Sequence, residues 1–262
     1  MSDRNGLFVA ELTSSQAGDA APVLLVHGFA QDHRCWGPLG AALGARGPVL
    51  AVDAPGHGRS GALASADVPQ AADLLAQVAA ATGRALDVVG YSMGGRMALQ
   101  LLVDHPGAVR RAALIGATAG IADPSERAAR RALDDERAAH LETVGIDAFL
   151  ADWLAQPLFA ELPQWARFDE ERRNNTVNGL AQSLRNAGTG SMAPLWDRLP
   201  EITAEVLCVA GSNDPKFCDA AERMADLMPR GSVHMLAGAG HAAHLEQPDD
   251  AERIVREFLN RD

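Results

Sequence analysis

Gly90-Tyr91-Ser92-Met93-Gly94-Gly95 fits the pattern G-x-S-x-G. It follows the apolar run Ala85 to Gly90 and opens an apolar stretch of helical spacing, Met93 to Val103. A strand that feeds a tight turn and then a helix is the setting of a nucleophile elbow. Glycines relieve crowding in a strained turn that projects the Ser side chain. The helix N-terminus behind it offers free N–H groups and partial positive charge. A serine hydroxyl is a weak nucleophile or base until a second group polarises it. In this setting the partners follow in the chain order Ser, acid, His. The strand Val206 to Ala210 runs into Gly211-Ser212-Asn213-Asp214, and Val233 to Leu236 is followed by Gly238-Ala239-Gly240-His241. Ser92, Asp214 and His241 are therefore the expected triad. The competing reading is a serine in an ordinary strand-to-helix turn.

Rival residues fit less well. Asp123 and His234 stand in the wrong places along the chain. His244 forms an HxxH pair with His241, but a zinc site wants at least three protein ligands. No metal is expected, and His244 reads as a partly buried helix residue. Three other positions point to the substrate. Arg96 lies one helical turn after Ser92, and Lys216 two residues after the acid. Tyr91, the chain's one tyrosine, precedes the serine. Of the 23 basic residues 22 are Arg, so Lys216 is the single lysine. Cations beside a serine do not suit a neutral ester or lipid pocket, because unpaired buried charge is costly. They suit a small substrate with several carboxylates.

Elements able to hold these residues recur along all 262 residues. Short apolar runs at Val23 to His27, Pro48 to Asp53, Ala85 to Gly90, Val109 to Ile115, Val206 to Ala210 and Val233 to Leu236 read as buried parallel strands. Helical spacing marks Gln70 to Ala81, Met93 to Val103, Pro215 to Met228 and Asp249 to Leu259. Strands alternating with helices imply an α/β fold, with a mostly parallel central sheet flanked by helices. From 120 to 194 no strand signal appears, and the segment reads as an inserted cap of several short helices. Residues 1–119 and 195–262 then form the core. The net charge of −11 argues against a nucleic-acid partner. No run approaches the roughly 18 apolar residues of a membrane span, and the N-terminal stretch Met1 to Gln16 lacks the apolar middle of a signal peptide. Three cysteines without CxxC spacing suggest neither a disulfide framework nor a zinc site, and a reducing cytoplasm.

With VHGFAQDHRCW, VDAPGHGRS, VGYSMGG, AGSNDPKF and AGAGHAAHLEQP in this order, the chain resembles the α/β-hydrolase superfamily over nearly its whole length. The resemblance implies that the backbone N–H groups of Phe29 and Met93 form an oxyanion hole, that His27 holds the loop, and that the turn carrying His57 is structural. More narrowly the chain resembles the 2-succinyl-6-hydroxy-2,4-cyclohexadiene-1-carboxylate synthases of menaquinone biosynthesis. The marks are GYS-x-GGR at Gly90 to Arg96, D-x-KF at Asp214 to Phe217, ERAARRALDD at 126–135, DWLAQPLF at 152–159 and RRNN at 172–175. That likeness implies a lyase that eliminates pyruvate from an enolpyruvyl cyclohexene carboxylate, with no cofactor. It adds Arg130 and Trp153 to the substrate-binding set, Arg127 and Arg131 being neighbours in the same register. The alternative is a serine carboxylesterase, thioesterase or C–C bond hydrolase with the same triad. A binding protein without activity is a third class, against which the intact Ser, Asp and His set argues.

Overall fold

The structure, a computed structural model, describes residues 6–13 and 20–261. Parts of the N-terminal stretch read for a signal peptide, 1–5 and 14–16, lie outside the described residues. Strands β1 (Val9–Thr13), β2 (Val23–Val26), β3 (Val49–Val52), β4 (Leu86–Tyr91), β5 (Val109–Ile115), β6 (Glu205–Gly211) and β7 (Gly231–Leu236) form one sheet. Their order is β1-β3-β2-β4-β5-β6-β7. The last six are parallel to their neighbours, and β1 pairs antiparallel with β3. Helices α1 (Gly37–Leu43), α2 (Val68–Thr82), α3 (Met93–Asp104), α4 (Pro124–Leu154), α5 (Asp169–Arg172), α6 (Val177–Ala187), α7 (Pro215–Leu227), α8 (Ala243–Glu246) and α9 (Pro248–Leu259) complete the fold.

The apolar strands are continuous because both sheet faces are covered. Leu24 and Val26 of β2, Leu86 and Val88 of β4, and Val206, Cys208 and Ala210 of β6 pack into one core with α2, α3 and α7. Their alternates Val23, Leu25, Val89, Tyr91, Leu207 and Val209 pack into a second core with α1 and α9. Each such side chain, fully buried, contributes about 1.5–3 kcal/mol. Helix α3 lies so deep that Met93 through Val103 are all buried, Arg96 and Gln100 included.

The sequence reading missed β1. Its residues are half-buried or exposed at the sheet edge, so they carry no core signal. The edge strand β7 likewise leaves Val233 exposed. Several helices and no strand occupy 120 to 194, as expected. The span α4 is two helices that meet end to end at Gly145, whose backbone (φ 79°, ψ 176°) is not helical and breaks the axis. Asp123, weighed as a rival acid, caps the first of them by accepting from the Ser125 and Glu126 amides. Helices α4 and α6 pack on each other through Leu141, Phe149, Leu150, Leu180 and Leu184, with Ala30 of the β2 loop beneath them. No helix among the described residues is long and apolar enough to cross a membrane.

Candidate active site

Strand β4 ends at Tyr91 and α3 begins at Met93, leaving Ser92 alone in the turn at φ 50°, ψ −107°. That conformation is strained for a non-glycine residue. It is held because the Ser92 amide donates to Ile115 O at 2.8 Å and its carbonyl accepts from Arg96 N at 3.1 Å. A Cβ at Gly94 would collide with the Val26 carbonyl. This position therefore has to be glycine for α3 to lie against the end of β2.

The structure brings the three expected residues together. Ser92 Oγ lies 2.9 Å from His241 Nε2, and His241 Nδ1 donates to Asp214 Oδ2 at 3.0 Å. Asp214 sits at the N-cap position of α7 but spends no side-chain bond on the cap, which leaves the carboxylate to the imidazole. The loops after β6 and β7 approach closely because Gly211 has no side chain; a Cβ there would strike the carbonyls of Ala239 and Gly240. Glu246 accepts from the amides of Gly240 and Ala242 on either side of His241. The ring of Phe217 lies 4.3 Å from that of His241.

The loop after β2 explains its histidines. His27 Nε2 accepts from Ala54 N at 3.0 Å and its Nδ1 donates to Gly28 O at 2.7 Å. His57 Nε2 accepts from Ala30 N at 3.1 Å, while its Nδ1 donates to Pro55 O at 3.0 Å. Each ring is thus a neutral brace with both nitrogens committed. Burial lowers the His27 pKa and pushes that of His57 down to about 3. The Gly28 amide donates to Gln31 Oε1, and the Gln31 amide to Gly28 O. Ala30 N–H is taken by His57. Of the four amides from Gly28 to Gln31, only that of Phe29 has no acceptor among the described residues. At the start of α3 the Met93 amide is also without one.

A cavity of about 190 Å³ opens above Ser92, lined by Phe29, Tyr91, Met93, His241 and the inserted helices. Arg96, Lys216, Arg130 and Trp153, the residues expected from the sequence to meet substrate, all line it. Arg96 is buried, donates to Ala187 O at 2.7 Å, and has its pKa pushed down to about 10 by burial. Lys216 is exposed and makes no ion pair among the described residues; its Nζ lies 5.8 Å from the Phe217 ring. Arg130, which lines the cavity, pairs with the buried Asp134 at 2.9 Å. Trp153 stacks on Phe149 and meets Phe29 edge-on. Tyr91 is buried against the rings of His241 and His244, and burial raises its pKa.

Several lining residues were not singled out. Asp134, Arg137 and Gln156 share the cavity wall with Arg130. For Asp134 and Arg137 the signal lay in the i, i+4 and i+7 spacing of 130, 134 and 137, which puts one face of α4 towards the site. Arg172, first residue of the RRNN stretch, is buried and donates to Arg167 O and Ala30 O. Asn175 from the same stretch donates to Ala30 O and accepts from the Gly58 amide. Both tie the inserted helices to the Phe29 loop. His244 is fully buried rather than partly so, with both ring nitrogens unpartnered. One set among the described residues, Asp32, His33 and Asp53, could hold a cation. Its groups are already engaged with Arg34, the Arg59 amide and each other.

A strained serine between a parallel strand and a buried helix, with acid and histidine from the two following strands, defines an α/β-hydrolase-type serine site. The alpha/beta hydrolase family model matches residues 23–254. The 2-succinyl-6-hydroxy-2,4-cyclohexadiene-1-carboxylate synthase of Escherichia coli O139:H28 is 32% identical over 236 residues, 86% of this chain and 88% of the relative. A chain of Bacillus subtilis, provisionally named for the same activity, is 32% identical over 246 residues, 90% and 89% of the two chains. The structure of MenH from S. aureus superposes with a TM-score of 0.89 at 29% identity, covering 97% of this chain and 98% of that one. The chain belongs to the alpha/beta hydrolase family and, within it, to the 2-succinyl-6-hydroxy-2,4-cyclohexadiene-1-carboxylate synthases.

Proposed function

We propose that this chain is a carbon–oxygen lyase that eliminates pyruvate from the enolpyruvyl cyclohexene carboxylate precursor, giving 2-succinyl-6-hydroxy-2,4-cyclohexadiene-1-carboxylate for menaquinone synthesis in the cytoplasm. The observation that carries the reading is the Ser92–His241–Asp214 chain opening into a cavity walled by Arg96, Arg130 and Lys216.

Ser92 Oγ takes the ring proton as His241 Nε2 draws off its own, and Asp214 holds the imidazolium that forms. The electron pair left on the ring carbon is delocalised into the succinyl carbonyl, whose oxygen gains negative charge. The uncommitted amides of Phe29 and Met93 are the donors for that oxygen. The pair then forms the ring double bond as the ether C–O bond breaks, and the departing enolpyruvate takes a proton to become pyruvate. Arg96, Arg130 and Lys216 bind carboxylates, while Tyr91 and Trp153 supply apolar walls. The segment 120–194 acts as a lid that excludes water. Slowed hydrogen exchange in α4 and α6 on adding product would support that role; unchanged exchange would overturn it.

Two substrates separate lyase from hydrolase. A charge-assisted hydrogen bond is worth about 1.5–3 kcal/mol, so Arg96→Met and Lys216→Met should each slow pyruvate release about 10- to 150-fold. Cleavage of a small neutral aryl ester, which has no carboxylate to lose, should change far less. Arg96→Lys should rescue only in part, because the two-pronged geometry is lost. Steady-state kinetics on both substrates decide it. Equal losses on the two would mean that the cations support the fold, and a wild-type protein releasing no pyruvate would leave the hydrolase reading.

A further inference from the structure

Two guanidinium groups, those of Arg130 and Arg137, share one carboxylate on the α4 side of the cavity, and Arg96 lines the same cavity. Arg130 Nε holds Asp134 Oδ1 at 2.9 Å, and Arg96 spends a donor on Ala187 O. Arg137 is the loosely held member. Its Nη1 stands 3.5 Å from the same Asp134 oxygen, and its Nη2 reaches the neutral Gln156 Oε1 at 3.3 Å. Its guanidinium carbon lies 5.6 Å from the Trp153 ring. The side chain is 26% exposed and lines the cavity. One carboxylate cannot neutralise both cations, and Asp134 Oδ2 is buried with no donor among the described residues. Burial and the charge of Arg130 both lower the pKa of Arg137. A partly dehydrated cation held by two weak contacts, beside an aromatic face, is poised for an incoming anion.

We propose that Arg137 is a further carboxylate-binding residue, taking a substrate carboxylate two-pronged in place of its long contacts with Asp134 and Gln156. The proposal rests on the polycarboxylate reading above. It makes the α4 wall a specificity device that favours tricarboxylates over monocarboxylates.

The test uses the full chain and the variants Arg137→Leu and Arg137→Lys, with two readouts. In steady-state pyruvate release, Arg137→Leu should raise KM about 10-fold or more with kcat within about 3-fold, the pattern of lost substrate binding. Calorimetric binding of propane-1,2,3-tricarboxylate should weaken by a similar factor. Arg137→Lys should recover part of both, and it carries the test should the leucine variant fold poorly. An unchanged KM and unchanged tricarboxylate affinity would overturn the proposal, as would a fall in kcat alone. A wild-type protein that releases no pyruvate would sink the lyase reading instead. The calorimetry would still decide Arg137: equal binding by wild type and variants, or none by any, refutes it.

Discussion

Ser92→Ala should lower turnover about 10⁴-fold while the protein keeps its fold, and His241→Ala should do the same. The magnitude follows from the geometry. Ser92 Oγ has one polarising partner, His241 Nε2 at 2.9 Å, and His241 has one orienting carboxylate, Asp214 Oδ2 at 3.0 Å. Removing any member leaves only the amides and the cavity to stabilise the transition state. Asp214→Asn should also cost orders of magnitude, because an amide can present its NH₂ to Nδ1 and so fix the wrong tautomer. The losses should not add: Ser92→Ala with His241→Ala should be no slower than either alone. Measurement requires kcat on the enolpyruvyl substrate for each variant, beside a circular-dichroism melt. Near-normal turnover by Ser92→Ala would remove the serine from the chemistry and with it the whole assignment.

What the sequence disclosed depended on how local the signal was. The elbow was legible because G-x-S-x-G lies in one short stretch, and each glycine answers a steric demand there. Asp214 and His241 were legible because each follows a strand whose apolar run can be read alone. Strand β1 was not, since an edge strand exposed on one side shows too little burial to pattern its residues. The division of α4 was legible for the same local reason, since Gly145 is a poor helix former and the axis does break there. Arg137 was hidden for another reason. An arginine on an amphipathic helix looks the same whether its face meets water or a cavity, and only tertiary packing distinguishes the two. Charge type pointed to Arg96 and Lys216 because they stood beside residues already placed. Structural roles for His27 and His57 were legible, but the partners of each ring and the full burial of His244 were not, because a histidine's partners are set by loops far apart in the chain.

Those buried histidines carry the second large effect, acid destabilisation well above the carboxylate range. Burial pushes both His57 and His244 from the ordinary 6.5 down to about 3. The sign follows from proton counts. Below 6.5 the unfolded chain binds protons on these rings and the folded one does not, so stability falls as pH falls. Their contribution is fully present above 6.5 and is lost progressively down to about 3. Each ring contributes about 1.4 kcal/mol per pH unit in that window. Between pH 7 and pH 5 the pair should therefore remove about 4 kcal/mol, a large part of a typical total of roughly 5–15 kcal/mol. The groups around them set the window. His27 adds to the fall, since burial lowers it too. Asp53, held below its ordinary 3.8, acts only at lower pH. Glu246 opposes the fall, because burial raises it and its protonation favours the folded state. His244→Phe isolates one member. It removes two buried nitrogens that have no partner, so it should cost little or nothing at pH 7. It should also flatten the pH dependence by about 2 kcal/mol. Denaturant unfolding of wild type and variant at pH 7 and pH 5 makes the comparison. Equal stability of the wild type at both values would show that these rings accept protons in the folded state, and the brace that His57 forms at the Phe29 loop would then have to open on acidification.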